Sequence, residues 1–262
     1  MKTEELRLVF EIKSGSTEAL NQSYITIYNL SRATRNNLRT ELLEIVLTAG
    51  YQGNAGIIFT GSLIGMSVEQ DDGDIKTVLN SGDGYKELKG AIANQSFKKN
   101  TPLSTVINYL ISTTKSLTPG KLNGITGKRL KTDIILVGNT DVFIKALGLA
   151  YDFRWSIQGG IFETVEVIRT KAGSEISDTG GLAYEISSTT GLISKPIIED
   201  SGQVVVKVLL NPRLKPNRPV YIDSPTLEGR GLYRIVEINT KGDTHGQDWY
   251  SLVKCVPKGK AA

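Results

Sequence analysis

The chain has 262 residues, 39% of them hydrophobic and 22% charged, with 27 glycines; that length and balance suit a turn-rich globular chain with two or three cores and exclude a disordered segment or a stapled miniprotein. Lys and Arg outnumber Asp and Glu by 31 to 27, and the net charge of +4 is too mild to demand nucleic acid as a partner. The lone Cys255 and lone His245 supply neither an internal disulfide nor a thiolate–imidazole metal cluster, and they fit a reducing cytoplasm.

The start, Met1-Lys2-Thr3-Glu4-Glu5, lacks the apolar core of a signal peptide. No window reaches the roughly 20 apolar residues of a bilayer span, so neither export nor membrane insertion is expected. Over residues 5–13, Leu6, Leu8, Phe10 and Ile12 alternate with Arg7, Glu11 and Lys13, the two-residue period of a half-buried strand. Gly15-Ser16 marks a turn, and β-branched Tyr24-Ile25-Thr26-Ile27-Tyr28 returns as a pairing strand. Ser31 is placed to cap a short helix to about residue 38, its hydroxyl accepting a first-turn amide proton. Short apolar runs at 43–49, 56–60 and 63–69, punctuated by Gly50, Gly53, Gly61 and Gly65, predict hairpins of a small barrel. The turn Asp71-Asp72-Gly73-Asp74 leads to a last strand at 75–79.

Helices enter in the middle third. Thr101-Pro102-Leu103 opens one with Leu103, Val106, Ile107, Leu110 and Ile111 on a single stripe. After a Gly- and Lys-rich loop at 119–131 and a strand at 133–137, Asp141 starts a second helix carrying Val142, Phe143, Ala146 and Leu147. Segments 153–157 and 161–167 flank Gln158-Gly159-Gly160 as a hairpin. Strands alone follow from Leu192: 204–210, 220–223, 232–239 and 249–256. In the last, Trp249, Val253 and Cys255 alternate with Tyr250, Leu252 and Val256, which predicts packing on both faces.

Candidate chemistry is thin. His245 lies in a glycine-flanked loop where Asp243 or Asp248 could orient its ring as a general base, but no nucleophile is near in sequence and a hairpin loop accounts for the pattern. Asp71, Asp72 and Asp74 are the densest acidic cluster, yet Lys76 stands where a calcium loop needs its third oxygen. Glu163 with Glu166, or Glu69 with Asp71, are the carboxylate couples a glycoside hydrolase would need, and nothing singles out either. Gly124-Ile125-Thr126-Gly127-Lys128-Arg129 fails as a phosphate loop: Leu122 replaces its first glycine and Arg129 its Ser or Thr. Basic clusters Lys86/Lys89, Lys98/Lys99 and Lys128/Arg129/Lys131 lack the interleaved aromatics of a single-strand binder and read as solvated surface.

Several phrases in one order carry more. They are Ile27-Tyr28-Asn29-Leu30-Ser31, Ala49-Gly50-Tyr51, Ile58-Phe59-Thr60-Gly61, Ser81-Gly82-Asp83-Gly84, the stretch from Phe97 to Leu110, Thr190-Gly191-Leu192-Ile193 and, above all, the ending from Gly242 to Tyr250. Together they resemble the baseplate hub family of contractile phage tails, and the middle third resembles the hub part of type VI secretion spike proteins. The resemblance implies a mainly β fold with an α+β middle: two small β-barrel-like domains embracing a mixed α/β insertion, divided at 1–85, 86–185 and 186–262, with strands from elsewhere able to complete the last. It implies a homotrimer forming a pseudo-sixfold ring, a tail tube protein above, a central spike protein below, and a channel for DNA or the tape measure protein. The place it implies is the virion tail baseplate, after synthesis in the bacterial host cytoplasm. No catalytic, cofactor-binding or metal residue is carried over, and no cofactor is implied. Pro216-Asn217-Arg218-Pro219 departs from the Pro-Gly more frequent in that family. The alternatives are a tail-associated peptidoglycan hydrolase and a nucleic-acid-binding β-barrel.

Overall fold

The computed structural model describes residues 6–15, 21–39, 43–83, 88, 90–114, 117–166, 168–169, 175–176, 183–200, 202–224 and 230–257. Met1–Glu5, Ser16, Gly84 and the Lys86/Lys89 pair, all singled out above, lie outside them. Strands β1 (Leu8–Gly15) and β2 (Gln22–Tyr28) pair antiparallel as the alternation predicts, with Phe10, Ile12, Ile25 and Ile27 buried. Helix α1 (Arg32–Asn37) starts where Ser31 caps it, the Ser31 hydroxyl accepting from the Thr34 amide at 3.1 Å. Then come β3 (Glu44–Tyr51), β4 (Asn54–Asp71) and β5 (Asp74–Gly82).

The two strands expected at 56–60 and 63–69 are one, β4, of 18 residues. Gly61 is not a turn. It sits mid-strand because a Cβ there would lie 2.6 Å from the Phe59 ring and 2.7 Å from the Gly82 carbonyl oxygen. Around it β4 changes partner, its first half pairing β3 and its second half β5, with Ser62 in register with both Glu44 and Gly82.

The middle section holds β6 (Ile92–Phe97), α2 (Leu103–Ser112), β7 (Thr118–Leu122), β8 (Ile134–Asn139), α3 (Thr140–Tyr151), β9 (Phe153–Gln158) and β10 (Ile161–Glu166), with a short ribbon of β11 (Ile168–Arg169) and β12 (Glu175–Ile176) after it. The five residues of the α2 stripe are all buried, each stabilising the fold by roughly 1.5–3 kcal/mol relative to exposure. Helix α3 differs from expectation. It buries Ile144, Leu147 and Gly148, while Val142 and Ala146 face outward, because Gly148 lets the helix approach to where an added Cβ would be 3.1 Å from the Phe153 carbonyl oxygen. Within the loop expected at 119–131, β7 adds in parallel to the edge of the β9–β10 hairpin.

The last third contributes β13 (Tyr184–Ser187), β14 (Ile197–Ile198), β15 (Val204–Leu209), β16 (Pro219–Asp223), β17 (Gly231–Asp243) and β18 (Trp249–Pro257). Strand β17 has two partners along one edge: its first residues pair β16, and Glu237–Asp243 pair β1. The outer thirds therefore share one eleven-stranded sheet of path β14-β15-β18-β17-β1-β2-β5-β4-β3, from which β16 and β13 branch. It is antiparallel except for β13–β16. Among the described residues this sheet is open. Neither of the two expected barrel-like domains closes among the described residues: β1 finds its second neighbour in the last third of the chain, so the outer thirds share one surface, and β14 and β3 end the path without meeting. Three cores remain distinct: one in the middle section, one under β15–β18 and β13–β16, and one under β1–β5.

Candidate functional surface

The candidate acid–base groups come apart. Asp243 and Asp248 close the β17–β18 loop, where the Asp243 amide donates to the Asp248 carbonyl oxygen at 2.8 Å. The Asp243 carboxylate accepts from Arg7 at 2.8 Å and from the His245 backbone amide at 3.0 Å, and the His245 ring lies against the Thr244 hydroxyl at 3.1 Å. Arg7, first, and then these amides hold the Asp243 carboxyl below the usual carboxylate range. The phrase that reads most like a catalytic loop instead clamps the N-terminal strand: the Thr244 amide and hydroxyl exchange hydrogen bonds with the Leu8 carbonyl and amide.

The other carboxylates are likewise engaged. Glu163 pairs with Arg218 at 3.2 Å and Glu166 with Lys128 at 3.4 Å; three positions apart on β10, they point to opposite faces and cannot flank one bond. Glu69 and Asp71 share a face at the exposed tip of the β4–β5 hairpin, but Asp71 pairs with Lys76 and Glu69 accepts from Ser67. Asp74 accepts from the Asn29 side chain at 2.8 Å, and Asp72 and Gly73, at φ 47° and 92°, form the tight turn. Among the described residues no group of three or more His, Cys, Asp or Glu side chains could hold a metal.

The phosphate-loop lookalike is also structural. Lys128 Nζ donates to the Tyr151 carbonyl at 2.8 Å, Arg129 donates to the Asn100 carbonyl at 2.8 Å, and Ile125 between the glycines is buried. Lys98 pairs with Asp133 at 3.3 Å, and the Lys99 amide donates to the same carboxylate. No helix among the described residues is long and apolar enough to cross a membrane.

What the sequence did not mark as a site is the outward face of the sheet, because its residues come from strands more than 200 positions apart. Register places Leu209, Tyr250, Lys241, Glu11, Tyr24 and Asn80 in one row across six strands, from β15 to β5. Lys207, Leu252, Asn239, Lys13 and Gln22 form the next row. The opposite face of the same strands carries Val206, Val253, Thr240, Ile12 and Ser23, all buried. Salt links and hydrogen bonds knit the outward rows together. Glu11 accepts from Asn239 at 2.9 Å and lies 3.6 Å from Lys241, and the Asn239 bond first, then Lys241 and Lys13, depress its pKa. Lys207 lies 3.8 Å from the centroid of the Tyr250 ring. Two-sided packing of β18, expected from its apolar alternation, holds only at Val256; Tyr250 and Leu252 stay half-buried on this outward face. The result is a broad, polar, mildly cationic wall.

The distinctive sequence phrases build the joints of that wall. Asn29, at φ 55°, bridges β2 to β5 through the Ile75 amide. Asn217, at φ 67° after Pro216, takes the left-handed position of a turn for which glycine is the usual choice, so the Pro-Asn departure keeps the turn. Its side chain adds what glycine lacks: it donates to Ser156 at 2.9 Å and accepts from the buried Arg234 at 3.1 Å, tying the middle section to the last third.

No protein-family model matches the sequence, and neither does any curated protein. The fold does have relatives. A 43 kDa tail protein of prophage MuSo2 from Shewanella oneidensis is similar over 97% of this chain and 97% of its own, with TM-score 0.62 and 9% identity. An Escherichia coli type VI secretion component, itself described as similar to phage T4 tail proteins, is similar over 97% of this chain and 74% of its own, with TM-score 0.68 and 9% identity. A tail protein of Neisseria meningitidis MC58 is similar over 94% of this chain and 91% of its own, with TM-score 0.63 and 8% identity. At such identities the likeness is one of fold, and that fold is the one found in phage tail and type VI secretion proteins.

Proposed function

We propose that this chain is a non-enzymatic structural subunit of a phage tail baseplate hub, or of a tail-derived particle of the same plan. The observation that carries the reading is fold similarity along nearly the whole chain to tail proteins and a type VI secretion component, joined to a sheet that spends its functional surface on breadth. In this reading three copies close a pseudo-sixfold ring, and the outer thirds, roughly 1–85 and 186–262, act as twin barrel-like modules around the insertion at 86–185. Sheet ends at β3 and β14, unpaired among the described residues of one chain, are the edges that ring closure would cover, which removes an aggregation hazard. The outward polar wall faces the channel through which DNA or the tape measure protein passes, and a mixed-charge lining lets a polyanion slide without holding it. A tail tube protein stacks above and a spike below, in the virion, with no stable membrane insertion.

Engagement of Asp243, Glu163, Glu166 and Asp71 by cations supports an architectural role over hydrolysis. The test is mass measurement by light scattering with projection imaging of the purified full chain, alone and with its spike partner. A trimer of 28.5 kDa subunits with a central hole is expected. A strict monomer indifferent to spike and tube proteins would refute the proposal.

A further inference from the structure

The insertion at 86–185 carries an edge strand without a guard. Among the described residues β8 pairs only β6, in a two-stranded sheet, and its six residues Ile134–Asn139 keep an unbroken register. Two bonds fix which way its backbone points. The Thr140 amide donates to the Ala91 carbonyl at 3.0 Å, and the Asn94 amide turns away from β8 to donate to the Tyr109 hydroxyl at 2.8 Å. In an antiparallel pair, hydrogen-bonded positions alternate with non-bonded ones. Asn94–Val137 is therefore a non-bonded position, as are Ile92–Asn139 and Ser96–Ile135. The amides of Ile135, Val137 and Asn139 and the carbonyls of Ile135 and Val137 accordingly project from the outer edge of β8, along which no described strand lies. The opposite edge, that of β6, is met at Asn94 by Tyr109 of α2. Other sheet ends are guarded: β3 by Glu44 and a register shift, β7 by Pro119 and Lys121, β14 by its two-residue length. Between Ile134 and Asn139 stands no charge, no proline and no bulge.

We infer that the outer edge of β8 is a docking site for an extended segment of another protein, which adds to the sheet as a third strand, uncharged where it pairs and apolar at alternate positions. The edge offers backbone donors and acceptors at every second residue, a spacing that another extended backbone matches. Side chains on one face set the occupant's composition. Ile135 and Val137, 73% and 67% exposed, are the two most exposed large hydrophobic residues among those described, and Ile92 on β6, 59% exposed, shares their face. An added strand sets its own alternate side chains beside them. Area decides between a segment and a second folded copy. The three side chains amount to on the order of 300 Å², well short of the roughly 800 Å² per partner on which folded proteins associate stably. A short strand meets no such requirement, because its backbone bonds carry much of the affinity. The inference concerns the single chain and does not rest on ring formation.

The experiment presents the full chain to a displayed library of random peptides, then follows amide hydrogen exchange as the resynthesised winners are added. In the free protein the Ile135 and Val137 amides should exchange faster than those of Leu136 and Gly138, which face β6. Selected peptides should show apolar residues at alternate positions and slow the first pair by about tenfold or more. Val137→Pro deletes an outward donor and spares the β6 ladder, since proline is tolerated where the N–H faces away from the sheet. It should keep the fold by circular dichroism and weaken peptide binding by about tenfold or more. Ile135→Lys, which sets a guarding charge on the same edge, should do likewise. Equal protection of Val137 and Leu136 in the free protein overturns the inference, and so does a library that yields no alternating peptide, or peptides that leave the Ile135 and Val137 amides unchanged. Undiminished binding to both variants overturns it as well. A dimer of the purified chain that Val137→Pro disperses would assign the edge to a second copy instead. The exchange measurement is made on wild-type protein and is independent of how the variants fold.

Discussion

Gly242→Ala is the sharpest probe of the joint between the two ends of the chain. Gly242 stands opposite Phe10 where β17 pairs β1, and a Cβ there would lie 2.2, 2.4 and 2.9 Å from three atoms of the Phe10 ring. The ring cannot simply swing away: Phe10 is 2% exposed and packs edge-on against Trp249 at 5.6 Å. Forcing one methyl group into such a site costs about 1–3 kcal/mol. For a chain of this size that is a melting temperature lower by about 2–12 °C. Thermal unfolding followed by circular dichroism measures it directly. Phe10→Leu, which removes the ring and costs about 1 kcal/mol alone, should make the added methyl tolerable. The double variant is then more stable than additivity predicts by about 1 kcal/mol or more. A Gly242→Ala protein that melts with wild type, or strictly additive losses, would refute the packing argument.

Three further outcomes are expected. Asp243, held low by Arg7, contributes stability that is fully present above its unfolded-state pKa near 3.9 and is lost as pH falls through its lower folded value; carboxyl resonances should therefore show Asp243 titrating below 3.9 and moving up in Arg7→Ala. At Asn217, alanine should cost about 1 kcal/mol more than glycine in urea unfolding, since both lose the Ser156 and Arg234 bonds and only alanine meets the left-handed backbone penalty; equal costs would argue against a strained turn. Cys255, fully buried with its thiol pushed up to about 12 by desolvation, should resist a thiol reagent at pH 8 until the protein unfolds, and rapid labelling of native protein would contradict its place in the core.

Local grammar was legible where one element decided its own fate. The alternation of β1, the Ser31 cap and the five-residue stripe of α2 each need only neighbours in sequence, and the structure has all three. Elements whose boundaries depend on a distant partner were not legible. Gly61 looks like a turn until the Gly82 carbonyl is known to lie against it, and the outward face of α3 is set by Phe153 crowding Gly148. The open sheet eluded sequence reading for the same reason: nothing near Val9 announces that its partner is Asp243. The outward wall, the candidate functional surface, was invisible because each strand contributes a single residue to each row. The partners of the candidate carboxylates were equally hidden, since Lys76, Arg218, Lys128 and Arg7 meet Asp71, Glu163, Glu166 and Asp243 only once the strands pair.

The pairing of β1 with β17 also sets a timetable for synthesis. Arg7 and its partner Asp243 are 236 residues apart, so at about 5–20 residues per second the first strand leaves the ribosome on the order of ten to fifty seconds before its neighbour exists. During that interval the edge of β1 has no native partner, and newly made chains crowded on one message could exchange it. Slow refolding is the expected consequence of so long-range a pairing, and it follows from where one strand happens to lie.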